Sequence, residues 1–254
     1  MPHSRPSSSM HIRVFADERA VADALAITVA AAVRDTRHAV LGLPTGRTPV
    51  LLYKELVERA RGGALELAHV TTFNLDEFLG LPATHPGSYR HFMEHHLFGH
   101  LGEHRPHAHL LDGTAADPDA ECARYEAAIA EAGGIDLQIL GLGTNGHIGF
   151  NEPAPELMAR THRVTLRPET RRSNAGLFGG DPDAVPREAL SMGMATILHA
   201  RRIVLIATGD SKAACVRRMI EGPLTTMLPA SFLQLHSDVE VMLDATAARE
   251  LNAG

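Results

Sequence analysis

The chain of 254 residues is 44% hydrophobic, enough to bury a full core, and it holds no run of about 18 apolar residues of the kind that spans a membrane. Its net charge of −6 is scattered along the chain, which excludes a basic nucleic-acid groove and a patch for an anionic membrane, so an anionic ligand has to be met by a local site. Only two cysteines occur, Cys122 and Cys215, each inside a segment of helical period, which argues for a reduced compartment and against a structural disulfide.

The opening MPHSRPSSSMHI lacks the apolar core of a signal peptide; residues 1–10 are expected to be a disordered polar tail, and residues 11–254 a single cytoplasmic domain. The run 38–43 predicts a strand, followed by PTGRTP and a helix over 49–61 with Leu51, Leu52, Leu56 and Val57 on one face. A strand over 70–75 leads into DEF and a helix over 88–101. Next come a helix over 119–132, stopped by Gly133 and Gly134, and a strand over 136–142 that leads into GTNGHIGFNEP. A strand over 202–207 precedes TGDSK and a helix over 211–221, and a last strand covers 239–243. This alternation predicts an α/β fold with a doubly wound, mostly parallel sheet. Ligands of such sheets sit outside the carboxyl ends of the strands, so the four polar motifs are expected to meet in one crevice.

Two patterns suggest other chemistry and are set aside. Gly141, Gly143 and Gly146 match G-x-G-x-x-G, yet Gly149 and Pro153 oppose the helix that a dinucleotide site requires, and no acidic residue closes a following strand. His91, Glu94 and His95 match H-x-x-E-H, but the chain has 16 histidines and this helix offers no clear third ligand. It is expected to be a solvated, His-rich face.

The remaining motifs converge on proton transfer beside a bound anion. PTGRTP passes from strand through a Thr/Gly turn to a helix, which aims backbone N–H groups and the hydroxyls of Thr45 and Thr48 at a phosphate-sized volume. Lys212 in TGDSK adds an ammonium. Asp76 ends the strand VTTFNL and Glu77 follows it, so one points into the crevice and one away. A carboxylate in a dry crevice can take a proton from a carbon next to a carbonyl, and His147 is the natural second acid/base, with Glu152 placed to orient its ring. These residues point to a phosphorylated polyhydroxy substrate, with no metal and no redox cofactor.

LGLPTGRTP, TTFNLDEFLGLPATHPGSY, ILGLGTNGHIGFNEP, ALSMGMATIL, TGDSKA and LPASFLQLH together resemble the glucosamine-6-phosphate deaminase family from about Val14 to Leu243. The resemblance implies a Rossmann-like fold with helices on both faces of the sheet, and hydrolysis of glucosamine 6-phosphate to fructose 6-phosphate and ammonia. It implies that His147, held by Glu152 and Asn145, opens the pyranose ring, and that Asp76 moves the C2 proton to C1. Thr45, Gly46, Thr48 and Lys212 would hold the phosphate.

Two departures stand out. Family members carry a phosphate-binding arginine two residues after the Asn of T-R-x-x-N; here Asn174 is followed by Ala175 and Gly176. Arg47 stands where the family has a small residue, so either it replaces the lost charge or it points to solvent and Lys212 works alone. The segment 155–164 lacks most of the effector-binding residues of the longer allosteric members, which implies the short, non-allosteric type with hyperbolic kinetics. Rival readings are a galactosamine-6-phosphate deaminase, a 6-phosphogluconolactonase-like enzyme and a sugar-phosphate-sensing domain. The expected partner is a small amino sugar phosphate, without nucleic acid or membrane; a homo-oligomer stays open.

Overall fold

The computed structural model describes residues 10–252. The tail expected over 1–10 lies outside the described residues except for Met10, which already belongs to the first strand. In chain order the elements are β1 (Met10–Phe15), α1 (Glu18–Asp35), β2 (Val40–Leu43), α2 (Val50–Arg61), β3 (Thr71–Asn74), β4 (Asp76–Phe78) and α3 (Tyr89–His96). Then follow β5 (His107–His109), α4 (Pro118–Glu131), β6 (Leu137–Gly141), β7 (His162–Thr165), α5 (Pro168–Asn174), β8 (Glu188–Ser191), α6 (Met194–Leu198), β9 (Arg202–Ala207), α7 (Ala213–Glu221) and β10 (Val239–Asp244).

Seven strands form one sheet in the order β1-β10-β9-β6-β2-β3-β5, with every neighbouring pair parallel. From β2 the chain builds outward through β3 and β5, then returns and builds the other way through β6, β9 and β10. The direction therefore reverses between β2 and β6, the place where sheets of this kind open a crevice.

Side chains alternate across each strand, so each strand feeds two cores. Leu41, Leu43, Ile139, Val204 and Ile206 pack with Leu25 of α1, Leu52 of α2 and Phe92 of α3. Leu140, Ile203, Leu205 and Val241 pack on the opposite face with Tyr125 and Ile129 of α4 and Val216 and Met219 of α7. A fully buried leucine in such a layer contributes about 1.5–3 kcal/mol relative to exposure. Tyr125 also donates its hydroxyl to the carbonyls of Asn74 (2.7 Å) and His109 (3.1 Å), tying α4 to the ends of β3 and β5.

A second sheet, β4-β8-β7, is antiparallel and has no counterpart in the sequence reading. The Leu75 N–H still bonds to Leu43 of β2, while the Leu75 carbonyl accepts from Met192 beyond β8. Asp76 thus opens β4 instead of ending the preceding strand, and it stands at the joint between the two sheets. The helix expected over 88–101 stops at His96, because Leu97 leaves helical geometry and a short 3-10 turn follows.

Candidate active site

The four motifs meet. A cavity of about 810 Å³ opens at the carboxyl ends of the strands and is lined by Thr45, Gly46, Arg47 and Thr48 after β2, by Asp76 after β3, by Asn145 and His147 after β6, and by Lys212 after β9. Glu152 stands behind His147 and does not line the cavity itself.

At one end the residues suit an anion. Pro44 is fixed by the hydroxyl of Tyr53, which donates to its carbonyl, and Gly46 takes the left-handed φ of 92° that turns the chain into α2. The Lys212 ammonium donates to the Leu142 carbonyl at 2.7 Å. Burial lowers its pKa below the usual lysine value, and the nearby Arg47 guanidinium lowers it as well. Arg47 is solvent-exposed yet lines the cavity, so its charge and that of Lys212 share one end of it. Gly176, at the position of the missing arginine, is exposed and lies outside the cavity lining, with open space beside its Cα. Asp244, at the end of β10, shapes the Lys212 turn by accepting the Gly209 N–H at 3.0 Å.

Asp76 and Glu77 point apart, as the strand geometry predicts. Glu77 turns away from the cavity and accepts hydrogen bonds from Ser88 Oγ (3.1 Å) and from the N–H groups of Tyr89 and Arg90 (2.9 Å each), fixing the start of α3. Asp76 is 6% exposed, and its Oδ1 has no hydrogen-bond partner among the described residues. Burial, aided by the neighbouring Glu77, pushes its carboxyl up to about 8.

His147 is placed by its loop. The Gly143 N–H donates to the His147 carbonyl (2.9 Å), and the imidazole lies so close over Gly143 that a Cβ there would come within 2.4 Å of the ring. His147 Nδ1 is 3.6 Å from Glu152 Oε2, within ion-pair range. Asn145 joins the set by donating to Glu152 Oε2 (3.0 Å) and accepting the His147 N–H (3.1 Å), so it holds the carboxylate and the backbone and makes no bond to the ring. Burial opposes the charge on Glu152, but His147, Thr170 and Asn145 around it outweigh burial and hold its carboxyl down at about 2.

After Gly146 the chain runs through turns and an isolated Ile148–Asn151 bridge to β7, so no helix receives a pyrophosphate there. In the H-x-x-E-H segment Glu94 pairs with Arg105 (2.8 Å), and the described residues contain no cluster that could hold a metal ion. Both cysteines are free and buried. No helix among the described residues is long and apolar enough to cross a membrane.

Several lining residues were given no role by the motifs: Glu18, Tyr89, Glu169, Ser173, Asn174 and Asp244. Three of them lie on α5, whose sequence Pro168–Asn174 is polar and short and gives no periodic signal.

The family model described as glucosamine-6-phosphate isomerases/6-phosphogluconolactonase matches residues 16–242. Glucosamine-6-phosphate deaminase 2 of Bacillus subtilis is 49% identical over 222 residues, which is 87% of this chain and 89% of that protein. The glucosamine-6-phosphate deaminase of Halothermothrix orenii is 46% identical over 239 residues, 94% of this chain and 99% of that one. Among solved structures, a monomeric glucosamine-6-phosphate deaminase superposes with a TM-score of 0.89 at 39% identity, covering 95% of this chain and all (100%) of its own. A 6-phosphogluconolactonase from Trypanosoma cruzi shares the fold at a TM-score of 0.77 and 21% identity, covering 99% of this chain and 100% of its own. Sequence and fold agree, and the chain belongs to the glucosamine-6-phosphate isomerase/6-phosphogluconolactonase family.

Proposed function

We propose that the chain is a glucosamine-6-phosphate deaminase, converting glucosamine 6-phosphate and water to fructose 6-phosphate and ammonia. The observation that carries this reading is the cavity itself, where a buried carboxyl and an imidazole face one volume whose far end is cationic. The deaminases of similar sequence support the substrate class. In this reading His147 passes a proton from the anomeric hydroxyl to the ring oxygen and opens the pyranose, with Glu152 and Asn145 fixing its place. Asp76 then takes the C2 proton of the open-chain sugar and returns it to C1, and water replaces the nitrogen at C2 as ammonia departs.

Thr45, Gly46, Thr48 and Lys212 hold the phosphate, and Arg47 supplies the guanidinium that the chain lacks at Gly176. A guanidinium grips phosphate through two parallel hydrogen bonds, which an ammonium cannot do. Arg47→Ala is expected to raise KM for the phosphosugar about tenfold with kcat nearly unchanged, the scale of one charge-assisted contact; an unaltered KM sinks this role.

Ammonia release assayed with glucosamine 6-phosphate, its galactosamine epimer and unphosphorylated glucosamine tests the whole reading. Turnover should be greatest with the first and near zero with the last; no ammonia from either phosphosugar refutes it. The likeness to a monomeric deaminase supports a monomer in place of a homo-oligomer. Sedimentation showing a single species of 27.3 kDa checks the monomer.

A further inference from the structure

Tyr89 belongs to none of the assigned roles, yet it sits where three walls of the cavity meet. It lines the cavity at 4% exposure. Its N–H is taken by Glu77 at 2.9 Å, and its ring is packed against Phe78 (centroids 4.8 Å apart) and Phe150 (5.8 Å, planes 17° apart). Those partners come from the DEF and GHIGF segments, so the ring is anchored to the strand that carries Asp76 and the loop that carries His147. A phenol held this firmly presents its hydroxyl at one fixed point.

That hydroxyl donates to Asn174 Oδ1 at 3.0 Å, and Thr45 of the phosphate turn lines the same cavity. Asn174 in turn donates from Nδ2 to the Thr170 carbonyl at 2.9 Å, bracing α5 from within. Within α5 only Thr170 is fully buried, so apolar packing gives this helix little hold on the rest of the molecule. Its Arg171 bonds to Val185 in the segment just beyond (3.1 Å) and makes no tie across the cavity.

We propose that Tyr89 is a positioning residue whose hydroxyl pins α5 over the cavity through Asn174. The residue does not take part in proton transfer; it fixes where the wall that covers the sugar stands. The kinetic part of this inference rests on the proposed deaminase reading, and the structural part does not.

The test uses Tyr89→Phe, which keeps the ring and removes only the hydroxyl, together with Asn174→Ala and the double variant. Hydrogen–deuterium exchange over residues 168–178 should become faster in each single variant and no faster in the double. KM for glucosamine 6-phosphate should rise about threefold to tenfold in each single variant, with the double no worse than the weaker single, because both remove one shared contact. Wild-type exchange in Tyr89→Phe, or single effects that multiply in the double, overturns the proposal. If the unaltered protein turns over no amino sugar phosphate, the functional reading fails and the exchange result still decides the role of Tyr89.

Discussion

The joint between β3 and β4 places a buried carboxyl in the crevice, the loop after β6 places another just behind it, and the two are pushed in opposite directions. At the joint, backbone groups are committed to strand ladders, as the Leu75 N–H is to Leu43, and Asp76 Oδ1 finds no donor among the described residues. In the loop, Asn145 and His147 turn toward Glu152. The result is a carboxyl near 8 in one region and near 2 in the other. Burial alone does not decide the charge of an acid; the side-chain donors and charges set around it decide it.

The contrast is broken most severely at Asp76. If it moves the C2 proton, Asp76→Asn should lower kcat by about 10²- to 10⁴-fold, the span of general-base catalysis, while KM stays within about threefold. Loss of less than about tenfold would place the base elsewhere. The same group gives the pH profile a sign. A base works deprotonated, so kcat/KM should climb as pH rises toward about 8; a flat profile between pH 6 and 8 would contradict it.

Gly143→Ala sharpens the loop side by testing position without changing any titrating group. A methyl 2.4 Å from the imidazole has to displace it, and kcat should fall about tenfold to a hundredfold with KM little changed. Wild-type turnover would show that the placement of the ring is not critical.

The smallest effect is on stability, where the two carboxyls should oppose each other. The folded pKa of Asp76 lies above its unfolded value, so its protonated form stabilises the fold fully below about pH 4, and that contribution is lost as pH rises toward about 8. The folded pKa of Glu152 lies below its unfolded value, so its contribution is present above about pH 4 and is lost as pH falls toward 2. At pH 8 Asp76→Asn should therefore raise the melting temperature by a few degrees and Glu152→Gln lower it. Shifts of the same sign would erase the comparison.

Much of this was legible in the sequence because the central parallel strands β2, β6, β9 and β10 are mostly apolar and strands at the sheet's centre end in polar turns. The phosphate turn at Thr45–Thr48, Asp76, His147 and Lys212 all sit at such ends. What stayed hidden had weaker local signals. The β4-β8-β7 sheet consists of strands of three or four residues paired far apart in sequence, and α1 was passed over despite an Asp17 cap that accepts the Ala20 N–H. Tyr89, Asn174 and Asp244 reach the cavity through tertiary placement, which no spacing rule encodes.

The chain has no tryptophan and only three tyrosines, Tyr53, Tyr89 and Tyr125, and all three are buried. Burial raises each phenol well above its usual pKa of 10.0, which favours the neutral form while the fold is intact. In strong alkali the ultraviolet signature of phenolate should therefore emerge as one step, coincident with loss of circular dichroism. That absorbance change makes the molecule its own dye for the moment its interior opens.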